Sequence, residues 1–223
     1  VLSKVDAAMG VIALSRKKVD VSAGLNSDKG AIFTSGVEGI NAKITAHNNV
    51  YTSTSGKLQG SILSETGSYT AIVEEMEADV DVPESIYMVV QNRISSKRVR
   101  SGTGSVSVEA GSIGGSRIEA PAGSVLVNTF GEFTGSTATA SGSVLGRILG
   151  PVSFANFKST SGDVILTTLD GGDVRAESLG SGNVSVVSWG PLSGRIGSTT
   201  GNVSGFVLGD ISSTVSAGGT TDL

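Results

Sequence analysis

Along the second half of the chain, apolar and polar residues alternate in short bursts: Val106 and Val108, Val125 and Val127, Val164 and Leu166, Val184 and Val186. A period of two is the pattern of a β-strand with one face buried. A glycine stands two residues before each burst, in the tripeptide Gly-(Ser/Asp/Asn)-Val. The tripeptide begins at residues 104, 123, 142, 162, 182 and 201, so successive copies lie 19 or 20 residues apart. A looser mark falls between them: Gly131-Glu132-Phe133, Gly150-Pro151-Val152, Gly172-Asp173-Val174, Gly190-Pro191-Leu192 and Gly209-Asp210-Ile211. Each repeat thus reads as a short strand, a turn, a second short strand and a second turn.

A repeat of this length is too short for a propeller blade and has no helical half. Stacked coils of parallel β-sheet fit it, one coil per repeat. Val106, Val125, Val144, Val164, Val184 and Val203 are then expected to form one interior column, with coils ~4.8 Å apart. A single coil buries too few side chains to offset about 1–2 kcal/mol of backbone entropy per residue, so stability has to come from neighbours along the axis. The predicted fold is an all-β solenoid forming one domain over residues 1–223. Residues 101–223 make its regular coils and residues 1–100 its irregular N-terminal coils and cap.

The first half repeats less cleanly. Ser35-Gly36-Val37 and Ser55-Gly56-Lys57-Leu58 fit the same stack, and Thr66-Gly67-Ser68-Tyr69 follows at a shorter interval. Residues 71–100 break the pattern. An acidic run (Glu74, Glu75, Glu77, Asp79, Asp81, Glu84) precedes an apolar strand from Ile86 to Val90 and a basic run (Arg93, Lys97, Arg98, Arg100). This stretch is expected to form irregular coils with a loop. The chain starts at Val1, so a native N-terminus and any signal or anchor are expected to have preceded it. The apolar stretch from Val1 to Leu14 is short and interrupted by Lys4 and Asp6, which favours a cap or first strand over an anchor remnant.

Composition narrows the function classes. There is no cysteine, which excludes disulfides, zinc–thiolate sites and cysteine nucleophiles. A net charge of −4 leaves no basic face for nucleic acid. No run of 18 apolar residues exists to span a membrane. With 32 glycines and only 4% aromatic residues, the core is expected to be thin layers of Val, Ile, Leu and Ala.

Candidate chemistry is sparse. His47 is the only histidine and has no nucleophile motif beside it, which favours a surface role. Asp163, Asp170 and Asp173 fall in one repeat and could pair as acid and base, as in β-helix polysaccharide enzymes. Solvated turn aspartates are the simpler reading. The single Asp170-Gly171-Gly172-Asp173 lacks the tandem copies that calcium sites need. The acidic run could bind divalent cations or pair with the basic run. Its separation from that run also suggests charge-guided association. Asn183 and Asn202 occupy equivalent sequons, readable as glycosylation sites or as stacked turn asparagines. Regular Thr-x-Thr ranks, as an ice-binding face needs, do not occur. Phe130, Phe133, Phe154, Phe157 and Phe206 are expected to pack in the core or at corners. Trp189, at a Gly-Pro turn, is the first choice for a sugar-stacking residue. No residue is assigned as catalytic, cofactor-binding or metal-ligating, and no cofactor is expected.

The run Thr160-Ser161-Gly162-Asp163-Val164-Ile165-Leu166, with its relatives at Gly182 and Gly201, resembles the repeats of adhesin-like β-solenoid domains. The likeness covers residues 100–220 well and 30–70 poorly. It implies a right-handed parallel β-helix, an extracellular or cell-surface location and no catalytic residues. Gly142-Ser143-Val144-Leu145-Gly146-Arg147-Ile148 and Gly201-Asn202-Val203-Ser204-Gly205-Phe206-Val207 also resemble bactofilins, which are β-helices that polymerise end to end. The expectation is a non-catalytic structural or adhesive surface protein, a homo-oligomer or polymer joined through its ends or faces. A carbohydrate-binding adhesin and a polysaccharide-active enzyme stand as the alternatives.

Overall fold

A computed structural model describes residues 4–223. Val1–Ser3, part of the expected cap or anchor remnant, lie outside the described residues; Val5–Ala7 and Val11–Ser15 are strands. The fold is an all-β solenoid of about 11 turns, with coils of about 19 residues and every strand pairing parallel to its neighbours.

Each coil has three sides, and the inward residue of each side stacks on its counterpart one coil away. On the first side the column runs Ile32, Val50, Tyr69, Ile86, Val106, Val125, Val144, Val164, Val184, Val203. The expected six valines are the last six members of this column. The short second side stacks Leu58, Met76, Ile94, Ile113, Phe133 and Val152. The third side stacks Ile118, Ala138, Phe157, Ala176 and Ile196. These columns meet in one buried core along the axis. Alternation does the sorting, because a strand residue whose neighbours face the core must itself face out.

The bend between the second and third sides needs a left-handed residue. Gly115 and Gly135 supply it, with φ of 63° and 55°. Phe154 holds the same kind of conformation, with φ of 51°, and its ring is exposed.

Polar side chains close the corner between the third side and the next coil. Ser124 Oγ accepts the Ser143 N–H (3.1 Å), Ser143 Oγ the Asp163 N–H (3.3 Å) and Asp163 Oδ1 the Asn183 N–H (2.7 Å). Asn183 Oδ1 then accepts the Asn202 N–H and Asn202 Oδ1 the Thr220 N–H, both at 2.9 Å. A buried serine braces the same corner from inside. Ser198 Oγ donates to the Gly182 carbonyl one coil back (2.6 Å) and accepts the Gly201 N–H of its own coil (2.9 Å). This accounts for the Ser/Thr-Gly-x-Val pattern: the backbone groups of a tight corner must be paired, and short hydroxyl and amide side chains reach them.

Three expectations change. Residues 71–100 contain no loop between coils: Tyr69–Met76, Asp79–Val82, Ile86–Ile94 and Val99–Ser101 are strands that continue all three sides. Gly36 is not the counterpart of Gly104. It ends the first side, stacking on Ser15, and the true counterpart nearby is Gly67, one residue before Ser68 and Tyr69. Gly172 does not align with Gly150 and Gly190. It stands in the second-side column between Val152 and Leu192.

Tyr69 is the largest departure from aliphatic character in the first-side column. It is fully buried, its hydroxyl 2.7 Å from Thr52 Oγ1. Burial pushes its phenol well above the ordinary tyrosine range, and the Thr52 bond opposes this weakly. The unfolded chain therefore releases that proton near pH ~10, before the folded chain does. Stability should be intact below that pH and fall above it by up to about 1.4 kcal/mol per pH unit. Denaturant midpoints measured across alkaline pH should show the fall, and Tyr69→Phe should flatten it.

Candidate functional site

On the outside of the solenoid, stacking turns single residues into ranks. Between Val125 and Val127 of the first side lies Leu126, between Val144 and Gly146 lies Leu145, and between Val164 and Leu166 lies Ile165; the three stack in register. The same outward column holds Phe33, Tyr51 and Tyr87 in earlier coils. All six side chains are about two-fifths to one-half exposed. A parallel column on the same side carries Ile72, Val89, Glu109, Asn128, Arg147, Thr167, Val187 and Phe206. At the edge of this side, Phe130, Leu169, Trp189 and Leu208 are also exposed. One side therefore carries exposed apolar side chains interspersed with hydroxyl residues (Thr70, Ser107, Ser185 and Ser204), and the only charges in those two columns from Ile32 to Val207 are Glu109 and Arg147.

The third side has the opposite character. Arg100 Nη1 lies 3.2 Å from Asp81 Oδ1 and Arg98 Nε 2.9 Å from Glu119 Oε2. Farther along, Glu177 is held between two guanidinium groups, Arg175 Nε at 2.7 Å and Arg195 Nε at 2.9 Å. Glu177 raises the Arg175 guanidinium above its usual range. Gly197 stacks beside Glu177 and contributes no side chain, leaving a groove of about 260 Å³ that Arg195, Ser198, Thr199 and Ser216 also line. Both carboxylate oxygens of Glu177 are occupied by guanidinium groups and Ser198 Oγ by the corner.

The candidates read from the sequence fall at separate places. His47 sits on a corner, its Nδ1 2.8 Å from Glu65 Oε2. Asp163 belongs to the corner ladder before Val164–Thr168, whereas Asp170 and Asp173 flank the turn after it; the three acids are not brought to one site. Asn183 and Asn202 are the stacked turn asparagines of that ladder. Three acids of the acidic run, Glu75, Glu77 and Asp81, are paired with cations of neighbouring coils. Lys57 reaches Glu77 at 2.7 Å and Glu75 at 3.2 Å, which raises the lysine and lowers Glu77. Asp81 is met by Arg100, and Asp79 accepts the N–H groups of Lys97 and Arg98. Among the described residues, no three His, Asp or Glu side chains form a metal-sized cluster, and no helix is long and apolar enough to cross a membrane. Phe133 and Phe157 are core residues, while Phe130, Phe154, Phe206 and Trp189 are exposed.

The outward apolar rank is what reading the sequence missed. Its signal was there: in Val125-Leu126-Val127 and Val164-Ile165-Leu166 three apolar residues follow one another, and strand alternation must turn the middle one outward.

No family model, curated protein or solved structure matches this chain.

Proposed function

We propose that this chain is a non-catalytic structural or adhesive module that associates with copies of itself through a face of its solenoid. The observation that carries this reading is the set of exposed apolar side chains on the first side. Contiguous exposed apolar patches of more than a few hundred Å² mark interaction sites on soluble domains. On the third side, by contrast, Asp81, Glu119 and Glu177 are paired with arginines of the same chain. Resemblance to adhesin-like β-solenoid domains supports an extracellular or cell-surface setting, and bactofilin-like repeats support a polymer. Negative-stain imaging and sedimentation of the purified protein over a wide concentration range should show a dimer or larger assembly. A strictly monomeric species at the highest concentration would overturn the reading.

A glycan-binding adhesin is the second reading, favoured by the half-exposed Trp189 with the exposed Leu169 and Leu208 one coil to either side at the edge of the apolar side. Retention of a glycan by a monomer, lost on Trp189→Ala, would put it first.

A further inference from the structure

We infer that the first side is a self-complementary interface, on which two copies pair face to face about a two-fold axis in the coil of Leu126 and Asn128. This rests on the self-association reading and specifies its geometry.

The two charges of the outward columns lead to that axis. Glu109, Asn128 and Arg147 are successive members of one column, so the acid stands one coil before Asn128 and the base one coil after it. Their coils are ~9.6 Å apart, twice the strand spacing. Neither takes part in an ion pair among the described residues, unlike Arg98, Arg100, Arg175 and Arg195 of the third side. A two-fold axis parallel to the strands inverts the stacking direction and keeps the strand direction. Centred on Asn128, it brings Glu109 of each copy opposite Arg147 of the other. Closed pairs with this symmetry use the same patch twice, as one acid and one base equidistant from a centre require.

Three apolar pairings fall on the same axis, among polar ones such as Thr70 with Ser185 and mixed ones such as Ser107 with Leu145. Ile72 meets Val187 of the second copy, and Tyr87 meets Ile165. Leu126 meets its own counterpart. Asn128 lies on the axis and meets the Asn128 of the second copy. The overlap extends from the coil of Tyr51 to that of Phe206, nine coils, or ~43 Å by ~16 Å for five-residue strands. That is ~700 Å² on each copy and ~1,400 Å² in all, within the ~1,200–2,000 Å² of stable specific interfaces. Sheets facing in this way pack ~10 Å apart.

The test is a charge exchange on the full chain, read by sedimentation equilibrium. Glu109→Arg sets two pairs of like charges across the axis and should weaken dimerisation about tenfold or more. Adding Arg147→Glu to the same chain should restore it. Circular dichroism should show all variants folded, since both positions are on the surface. The chain has no cysteine, and facing Cα atoms ~10 Å apart are too distant for a disulfide, so Asn128→Cys should be joined into a covalent dimer by a short bis-maleimide crosslinker, whereas Val187→Cys alone should not. Assembly indifferent to the exchange overturns this interface and leaves self-association standing. A monomer throughout overturns both.

Discussion

Replacing Phe157 by alanine is expected to cost about 3–5 kcal/mol of folding stability. The ring is fully buried and stacks on Phe133 of the preceding coil, with centroids 4.9 Å apart and planes inclined by 30°. The third-side column otherwise holds Ile or Ala near this coil, so the ring needs room from another side. Gly146 provides it. A Cβ built there would lie 2.9 Å from Phe157 Cε1 and 3.0 Å from Leu166 Cδ1. Gly146→Ala should therefore destabilise the parent, through crowding against Phe157 and Leu166. In the Phe157→Ala background the ring contact disappears, and the same methyl should become neutral or stabilising. Denaturant unfolding of the four proteins of this cycle should give a coupling of about 1 kcal/mol or more, as for residues that share a cavity. Additive effects would show that Gly146 and Phe157 do not share one space.

Gly172→Ala is expected to destabilise by about 2–5 kcal/mol, combining backbone strain with overpacking. In the second-side column Gly172 stands between Val152 and Leu192, where an apolar side chain looks like an improvement. The backbone forbids it. Gly172 has φ of 129°, and a Cβ there would fall 1.7 Å from the Val152 carbonyl oxygen. That carbonyl belongs to the coil below, whose Val152 N–H is bonded to the Gly171 carbonyl. Relieving the clash would disturb pairing on both sides of the turn. A thermal or chemical unfolding midpoint at or above the parent value would refute this account.

How much was legible depended on whether a coil repeated its chemistry or only its geometry. From Gly104 onward each corner reuses Gly, a short acceptor and Val, so position and spacing are visible. Earlier corners meet the same need with other residues. Asn49 Oδ1 accepts the Ser68 N–H, and Ser85 Oγ serves Ser105, while Asn48 and Glu84 stand where later coils have glycine. The requirement is an acceptor for the next coil's N–H, and several side chains fill it, so the spelling changes while the coil does not. Charge was misleading for a related reason. The runs around Glu77 and Arg98 look segregated along the chain. Coiling places residues 18–21 apart side by side, and Lys57–Glu77, Arg100–Asp81 and Arg98–Glu119 become neighbours.

The sequence alone determined the period, the strand character and the composition of the core, because alternation and glycine spacing are local properties that any coil of this length must obey. Only the tertiary structure decided the rest: the bend that divides the second strand of a repeat into two sides, the alignment of Gly36 and Gly172, the pairing of Glu75, Glu77 and Asp81 across coils and the gathering of Phe33, Tyr51, Leu126 and Ile165 on one surface. Each of these is set by which residue lies one coil above another. That pairing is a contact between residues about 20 apart, fixed by backbone hydrogen bonds that carry no side-chain signature.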